Sequence, residues 1–120
     1  MLAGNEGLHS LTAIVDCNGL QASGHVAEIA PLEPLAAKWQ AFGWQVLETD
    51  GQDLEALRKS IAEAHAEHRQ PTAVLARTVK GKGFPAAEDR ADWHSRRPTV
   101  DEWLQVAGAL GMTQEELMTI

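Results

Sequence analysis

Residues 11–24 read LTAIVDCNGLQASG, and this stretch decides the expected fold. The apolar residues at its start do not alternate with polar ones, which predicts a strand buried on both faces, as in a parallel sheet. The strand ends abruptly at Asp16 and Asn18. In open α/β sheets ligands bind outside the carboxyl ends of the strands, and an amide oxygen beside turning backbone carbonyls can hold a hard cation. A plain turn is the alternative, because Asn and Gly often follow a strand in one.

The composition argues against several classes of partner. The 120 residues are enough for one domain with a core, and the formal net charge is −7. The longest basic cluster is the pair Arg96 and Arg97, so neither nucleic acid nor an anionic membrane is an expected partner. No apolar run approaches the ~20 residues of a membrane-spanning helix, and no signal-peptide pattern is present. The single cysteine, Cys17, cannot form an internal disulfide, so a soluble protein of the reducing cytoplasm is expected.

The rest of the chain alternates between helical and strand patterns. The spacing of apolar residues and the turn signals predict helices at 31–43, 53–69 and 99–110, strands at 44–50 and 72–79, a linker at 22–30 and a long irregular segment at 80–98. This order is an α/β alternation, and we expect a parallel sheet of about three strands with flanking helices.

Local signals predict where three of the helices begin or end. Residues 1–10 resemble the last turn of a helix that a glycine ends. Thr99 and Glu102 have the spacing of a capping box, and Thr113 and Glu116 repeat it for a short final helix.

Two further segments carry candidate chemistry. Residues 78–84 read TVKGKGF directly after a predicted strand, and glycines beside Lys80 let backbone amides approach an anion. Residues 88–95 read EDRADWHS, in which His94 is suited to proton transfer near neutral pH. The plainer interpretations are a solvated basic turn and an exposed loop histidine.

These three segments, in this order, resemble the thiamine-diphosphate-binding N-terminal domain of the transketolase family, over about residues 1–110. The resemblance implies a thiamine-diphosphate-binding α/β fold and transfer of a two-carbon ketol unit between sugar phosphates. It also implies that Asn18 and the Leu20 carbonyl bind Mg²⁺ and that Lys80 lies near the cofactor diphosphate. His94 would contact the diphosphate and assist proton transfer at the substrate. The cofactor would carry the carbon–carbon bond chemistry.

Several family features are missing from the sequence. The Gly-Asp-Gly motif with a further Mg²⁺ ligand, the early active-site histidines and the second catalytic domain are absent, and Ser95 replaces a more usual Gly. We therefore expect residues 1–120 to be the C-terminal part of such a domain, either a fragment or a subunit, inactive alone. It would be completed by the remaining domains or a partner subunit in a homo- or hetero-oligomer. The alternative is a non-catalytic α/β binding or assembly module that retains only the scaffold.

The other histidines and the cysteine have plainer interpretations. His65 and His68 are spaced as a metal pair, but no third ligand lies near them in sequence, so a solvated helix face is favoured. His9 and His25 are expected in loops without partners, and Cys17 is expected to be a small packed residue.

Overall fold

The computed structural model describes residues 1–117. The strands in chain order are β1 (Thr12–Cys17), β2 (Leu20–Gln21), β3 (Gly24–His25), β4 (Gln45–Asp50) and β5 (Thr72–Arg77). The helices are α1 (Leu2–Asn5), α2 (Val26–Ile29), α3 (Leu35–Ala41), α4 (Leu54–Ala66), α5 (Val100–Ala109) and α6 (Gln114–Leu117), with a 3-10 helix at Ala91–His94. Within these residues no helix has the length and apolar character needed to cross a membrane.

Three parallel strands in the order β1-β5-β4 form the main sheet. The central strand β5 pairs with β1 on one side and with β4 on the other. Thr72, the first residue of β5, lies beside Thr12 of β1 and beside Gln45 of β4. Helices α3 and α4 lie against β4, and α4 also lies against β5. The predicted α/β fold with a parallel sheet of three strands is confirmed.

The core is centred on β5. Its residues from Thr72 to Ala76 are all buried, because β5 is flanked by a strand on each side and both of its faces are covered. A hydrogen bond of 3.0 Å from the Thr72 hydroxyl to Gln45 Oε1 satisfies the polar side chain in this core.

The expectation that β1 is buried on both faces is wrong. β1 lies at the edge of the sheet, its residues alternate between half-buried and exposed, and Ile14 is 58% exposed. An unalternating apolar run indicates a strand suited to a covered sheet, but within residues 1–117 the face of β1 that carries Ile14 and Asp16 is exposed. Burial therefore depends on neighbours that the run itself does not specify.

Helix α4 begins as predicted and ends earlier. The Asp53 side chain caps it by accepting hydrogen bonds from the backbone amides of Glu55 and Ala56. The helix ends at Ala66 rather than at residue 69, because the Glu67 carboxylate accepts hydrogen bonds from the backbone N–H groups of the next two residues.

The predicted helix at 31–43 is shorter than expected. α3 begins at Leu35, since the segment before it contains two prolines and the Glu33 carboxylate accepts the Leu35 amide hydrogen bond at 2.8 Å. On the apolar side of α3 the Trp39 ring packs edge to face against the Trp44 ring, with the two ring centroids 4.8 Å apart. Phe42, at the end of α3, is 45% exposed.

The expectation of a plain linker at 22–30 is also wrong. β2 and β3 form a two-stranded antiparallel hairpin with Leu20 beside His25, and α2 follows directly. The two residues between the strands make a loop of the shortest common length, and strands this short carry too few residues to show a periodic pattern.

Helix α1 packs closely against the end of α3. Gly4 lies so near this turn that an ideal Cβ would be 1.8 Å from the Phe42 carbonyl oxygen. The predicted glycine stop is present, since Gly7 has a φ of +59°.

We expect Gly4→Ala to destabilise the protein by about 1–3 kcal/mol, because backbone must move to admit the methyl group. Gly108→Ala in α5 is the matched control, as no atom of residues 1–117 that the structure describes lies within 4 Å of the place its methyl group would take, and it should stabilise by about 1 kcal/mol. Urea unfolding of both variants measures the difference, and equal midpoints would contradict the close packing of α1.

Candidate functional site

A cavity of about 610 Å³ lies at the carboxyl end of β1. Its walls are the end of β1, the β2–β3 hairpin, α2, the segment leading into α3, and the side chain of Arg77 at the end of β5. Asn18 and Leu20, both half-buried, lie in this wall, as predicted from the position of strand ends in parallel sheets.

Asn18 forms an ordered turn at this wall. Its Nδ2 donates to Asp16 Oδ2 at 3.1 Å, and its Oδ1 accepts from the backbone N–H of Leu20 at 2.9 Å. Gly19 between them has a φ of +74° and open space around it. The turn interpretation and the ligand interpretation are compatible, because an amide oxygen has two lone pairs and can accept a second partner.

Asp16 also connects β1 to the residue after β5. The Thr78 hydroxyl donates to Asp16 Oδ1, and the Thr78 backbone N–H donates to the Cys17 carbonyl at 3.5 Å. The two segments with candidate chemistry, one containing Asn18 and the other beginning at Thr78, therefore meet through this carboxylate.

Acidic side chains outnumber basic ones around the cavity. Asp16, Glu28 and Glu33 line it together with Arg77, whose guanidinium contacts Glu48 at 2.9 Å and Glu33 at 3.5 Å. The hydrogen bond to Glu48 raises the pKa of Arg77, and the Leu35 backbone hydrogen bond lowers the pKa of Glu33. This charge balance favours a cation over a free anion.

The oxygen donors fit a hard cation in kind but not in number. An amide oxygen and a backbone carbonyl are ligands that Mg²⁺ accepts. In residues 1–117, however, no group of three or more His, Cys, Asp or Glu side chains is placed to hold a metal ion. Cys17 is not a candidate, since burial raises the pKa of its thiol.

Lys80 lies in a different cavity from Asn18. The walls of this smaller cavity, of about 290 Å³, include Lys80, Phe84, Trp93 and Trp103. The Phe84 and Trp93 rings meet edge to face with their centroids 4.8 Å apart, and the buried Trp93 Nε1 has no hydrogen-bond partner within the described part of the chain. The structure therefore does not bring Lys80 into the wall that contains Asn18.

His94 ends the 3-10 helix, which lies beside β3, and its side chain is exposed. Arg96 anchors the segment that contains His94 through two contacts. Its guanidinium lies 4.1 Å from the Trp93 ring centre and binds the Glu102 carboxylate at 2.6 Å. Ser95, in place of the family's usual Gly, has a φ of −133°, which any residue adopts without strain.

Sequence reasoning missed one part of the site and misjudged two histidines. The ion pairs of Arg77 were not foreseen, although a charge at the end of an otherwise buried strand is a usable signal. His25, expected in a loop, lies in β3 and lines the larger cavity. His9, expected without a partner, meets the His68 ring edge to face at 6.1 Å.

The fold and this cavity define an α/β domain that can bind a ligand outside the carboxyl ends of its parallel strands. The chain belongs to the transketolase family, because the family model "Transketolase, thiamine diphosphate binding domain" matches residues 1–120. The resemblance stated from the sequence is confirmed.

Two curated relatives are transketolase subunits. The chain is 37% identical over 103 residues to a 6-deoxy-6-sulfo-D-fructose transketolase subunit of Clostridium sp. (strain MSTE9), covering 86% of this chain and 38% of that protein. It is 34% identical over 117 residues to an apulose-4-phosphate transketolase subunit of Phocaeicola vulgatus, and this match covers 97% of this chain and 42% of that protein. The chain thus spans less than half the length of these relatives.

Solved transketolases have the same fold. A Pichia stipitis transketolase in complex with sedoheptulose-7-phosphate matches with a TM-score of 0.85 and 28% identity, over 95% of this chain and 17% of that one. A Campylobacter jejuni transketolase matches with a TM-score of 0.85 and 23% identity, over 98% of this chain and 20% of that one. At this identity the match supports the fold alone.

The anchor of the His94 segment should depend on pH. The predicted capping box of α5 is confirmed, and its Glu102 carboxylate also binds Arg96, which lowers the pKa of Glu102 from 4.5 to about 2. A carboxyl whose folded pKa is lowered stabilises the fold above its unfolded pKa and loses that contribution on protonation. We expect the Thr99 amide, which donates to Glu102, to report loss of the anchor between pH 4.5 and about 2.

An NMR titration of the Thr99 amide resonance measures this transition. Glu102→Gln should abolish it, whereas Asp101→Asn in the same helical turn should retain it. A Thr99 resonance that titrates equally in the Glu102→Gln variant would assign the transition to another group.

Proposed function

We propose that the chain contributes part of the Mg²⁺ and thiamine diphosphate site of a transketolase-type enzyme that transfers a two-carbon ketol unit between sugar phosphates. The observation that carries this proposal is the position of Asn18 and Leu20 together in an acidic cavity at the carboxyl edge of the sheet. Membership of a thiamine diphosphate binding domain family supports it.

In this proposal the cation is held by the Asn18 side-chain oxygen and the Leu20 backbone carbonyl. Asp16 adds negative charge next to them while holding the amide nitrogen of Asn18. Thiamine diphosphate, when bound, supplies the carbon–carbon bond chemistry, and the protein supplies binding and orientation.

Lys80 and His94 are proposed to act on the phosphate end of the cofactor and on the substrate. Both lie on the segment that follows β5, downstream of the Thr78–Asp16 contact. The Lys80 ammonium would bind a diphosphate oxygen, and the exposed His94 imidazole would move a proton at a substrate hydroxyl. Because neither residue lines the Asn18 cavity, both roles require the segment to face a surface outside residues 1–117.

A further part of the protein, or a partner subunit, is proposed to complete this site. The described donors do not make a full ligand set. The open edge of β1, with Ile14 exposed, is a surface that another strand can pair with. Two relatives are themselves named as subunits and are more than twice as long as the matched region. We therefore propose no catalysis by these 120 residues alone.

The alternative function is a non-catalytic α/β binding module. The separation of Lys80 and His94 from the Asn18 cavity favours this alternative. The two functions differ in whether Asn18 matters for cofactor binding.

Calorimetry with Mg²⁺ and thiamine diphosphate decides between them, using the chain mixed with a transketolase subunit from the same genome. We expect Asn18→Ala to weaken binding by more than about tenfold, because a direct metal ligand matters at least as much as the groups that orient it. Asn5→Ala is the matched control, since Asn5 is exposed in α1. It should bind as the unchanged chain does.

Ketol transfer is assayed in the same mixture with sedoheptulose-7-phosphate as donor. Unchanged binding in both Asn18→Ala and His94→Ala would establish the module instead of the enzyme. Turnover by the 120-residue chain without a partner would overturn the partial-site proposal.

A further inference from the structure

We propose that Asp16 and Thr78 are positioning residues that orient the Asn18 amide for its cation. This inference rests on the proposed function of Asn18 as a ligand and extends it to two side chains that do not touch the ion. Together they form a relay, defined here as Thr78 to Asp16 to Asn18, which runs across the carboxyl ends of β5 and β1.

Asp16 determines whether the nitrogen or the oxygen of the Asn18 side-chain amide faces β1. A carboxylate only accepts hydrogen bonds, so the contact at Asp16 Oδ2 must be made by Nδ2 and not by Oδ1. The oxygen is thereby directed to the other side, where the Leu20 N–H donates to it. Without the Asp16 contact, the Leu20 N–H would be the one remaining group among the described residues that orients the amide, so Oδ1 would be held by one hydrogen bond instead of two contacts.

Thr78 in turn holds the Asp16 carboxylate. Its hydroxyl donates to Oδ1, the carboxylate oxygen that Asn18 does not use. Both oxygens of Asp16 therefore accept a hydrogen bond, one from Asn18 after β1 and the other from Thr78 after β5. A carboxylate bound at both oxygens has one orientation, which it passes on to the Asn18 amide.

The backbone after β4 keeps Thr78 in place from the opposite side. An ideal Cβ at Gly51 would lie 2.5 Å from Thr78 Cγ2 and 3.0 Å from the Ala76 Cβ, so only glycine leaves room for the threonine methyl group. The methyl group faces Gly51, and the hydroxyl is left to face Asp16. The ends of all three parallel strands thus contribute to the orientation of one amide.

The relay also connects two segments that are far apart in sequence. Thr78 is the first residue of the TVKGKGF segment that contains Lys80, and Asp16 and Asn18 belong to the first segment. In metal sites, partners that orient a ligand typically change metal affinity by about 10–100-fold when removed.

Four variants of the 120-residue chain test the relay. Thr78→Val keeps the shape of the side chain and removes the hydroxyl, Thr78→Ser keeps the hydroxyl, and Asp16→Asn converts one acceptor into a donor. Thr72→Val is the matched control, because it removes a buried hydroxyl from the opposite end of the same strand.

The first readout is the pair of side-chain amide resonances of Asn18 in ¹⁵N-labelled protein without metal. We expect Thr78→Val and Asp16→Asn to shift this pair toward that of the exposed Asn5 and to speed its exchange with solvent. Thr78→Ser and Thr72→Val should leave it unchanged. An unchanged pair in Thr78→Val would overturn the relay, as would an equal shift in Thr72→Val.

The second readout is paramagnetic broadening by Mn²⁺, used as a probe for Mg²⁺, in the ¹⁵N-labelled chain mixed with the transketolase subunit used for calorimetry. We expect the Mn²⁺ concentration that broadens the Leu20 amide to rise about tenfold in Thr78→Val. It should stay the same in Thr78→Ser.

The two readouts separate the relay from the function on which it rests. If Mn²⁺ broadens nothing near Asn18 when the unchanged chain is mixed with the transketolase subunit used for calorimetry, the proposed metal site is wrong, and with it the purpose assigned to the relay. If broadening occurs but is equal in Thr78→Val, the metal site stands and the positioning role is overturned.

Discussion

Parallel pairing of β5 with both β1 and β4 is the constraint on which the rest of this structure depends. It places three carboxyl ends at one edge, and the polar residues that follow each strand are therefore neighbours in space. Asp16 and Thr78 lie far apart in sequence and form a hydrogen bond only because β1 and β5 are paired. The cavity that contains Asn18 opens at the same edge.

The chemistry of that edge follows from an excess of oxygen donors over cations. Arg77 is engaged by Glu48 and Glu33, which leaves the Asp16 side of the cavity negative. A carboxylate bound by two donors keeps the adjacent amide in one orientation, and an oriented amide oxygen suits a hard cation. Residues 1–117 contain no group of three or more His, Cys, Asp or Glu side chains placed for a metal ion, so the proposed site needs further donors, and the chain spans less than half the length of its subunit relatives.

Local chemistry made several elements predictable. The capping box at Thr99 and Glu102 formed as its spacing indicated, because both hydrogen bonds lie within one helical turn. The repeat at Thr113 and Glu116 also formed its hydrogen bonds. The β2–β3 hairpin was not predictable in this way, since two-residue strands are stabilised by their neighbours rather than by a periodic pattern.

The sequence by itself determined the order of the three parallel strands and the longer helices, the family, and the identity of Asn18, Leu20, Lys80 and His94 as candidate residues, since these depend on short patterns. The tertiary structure decided what those residues touch. It placed β1 at an edge with Ile14 exposed, and it separated Lys80 from the Asn18 cavity. It alone joined Thr78 to Asp16, because contacts between residues distant in sequence exist only after the strands have paired.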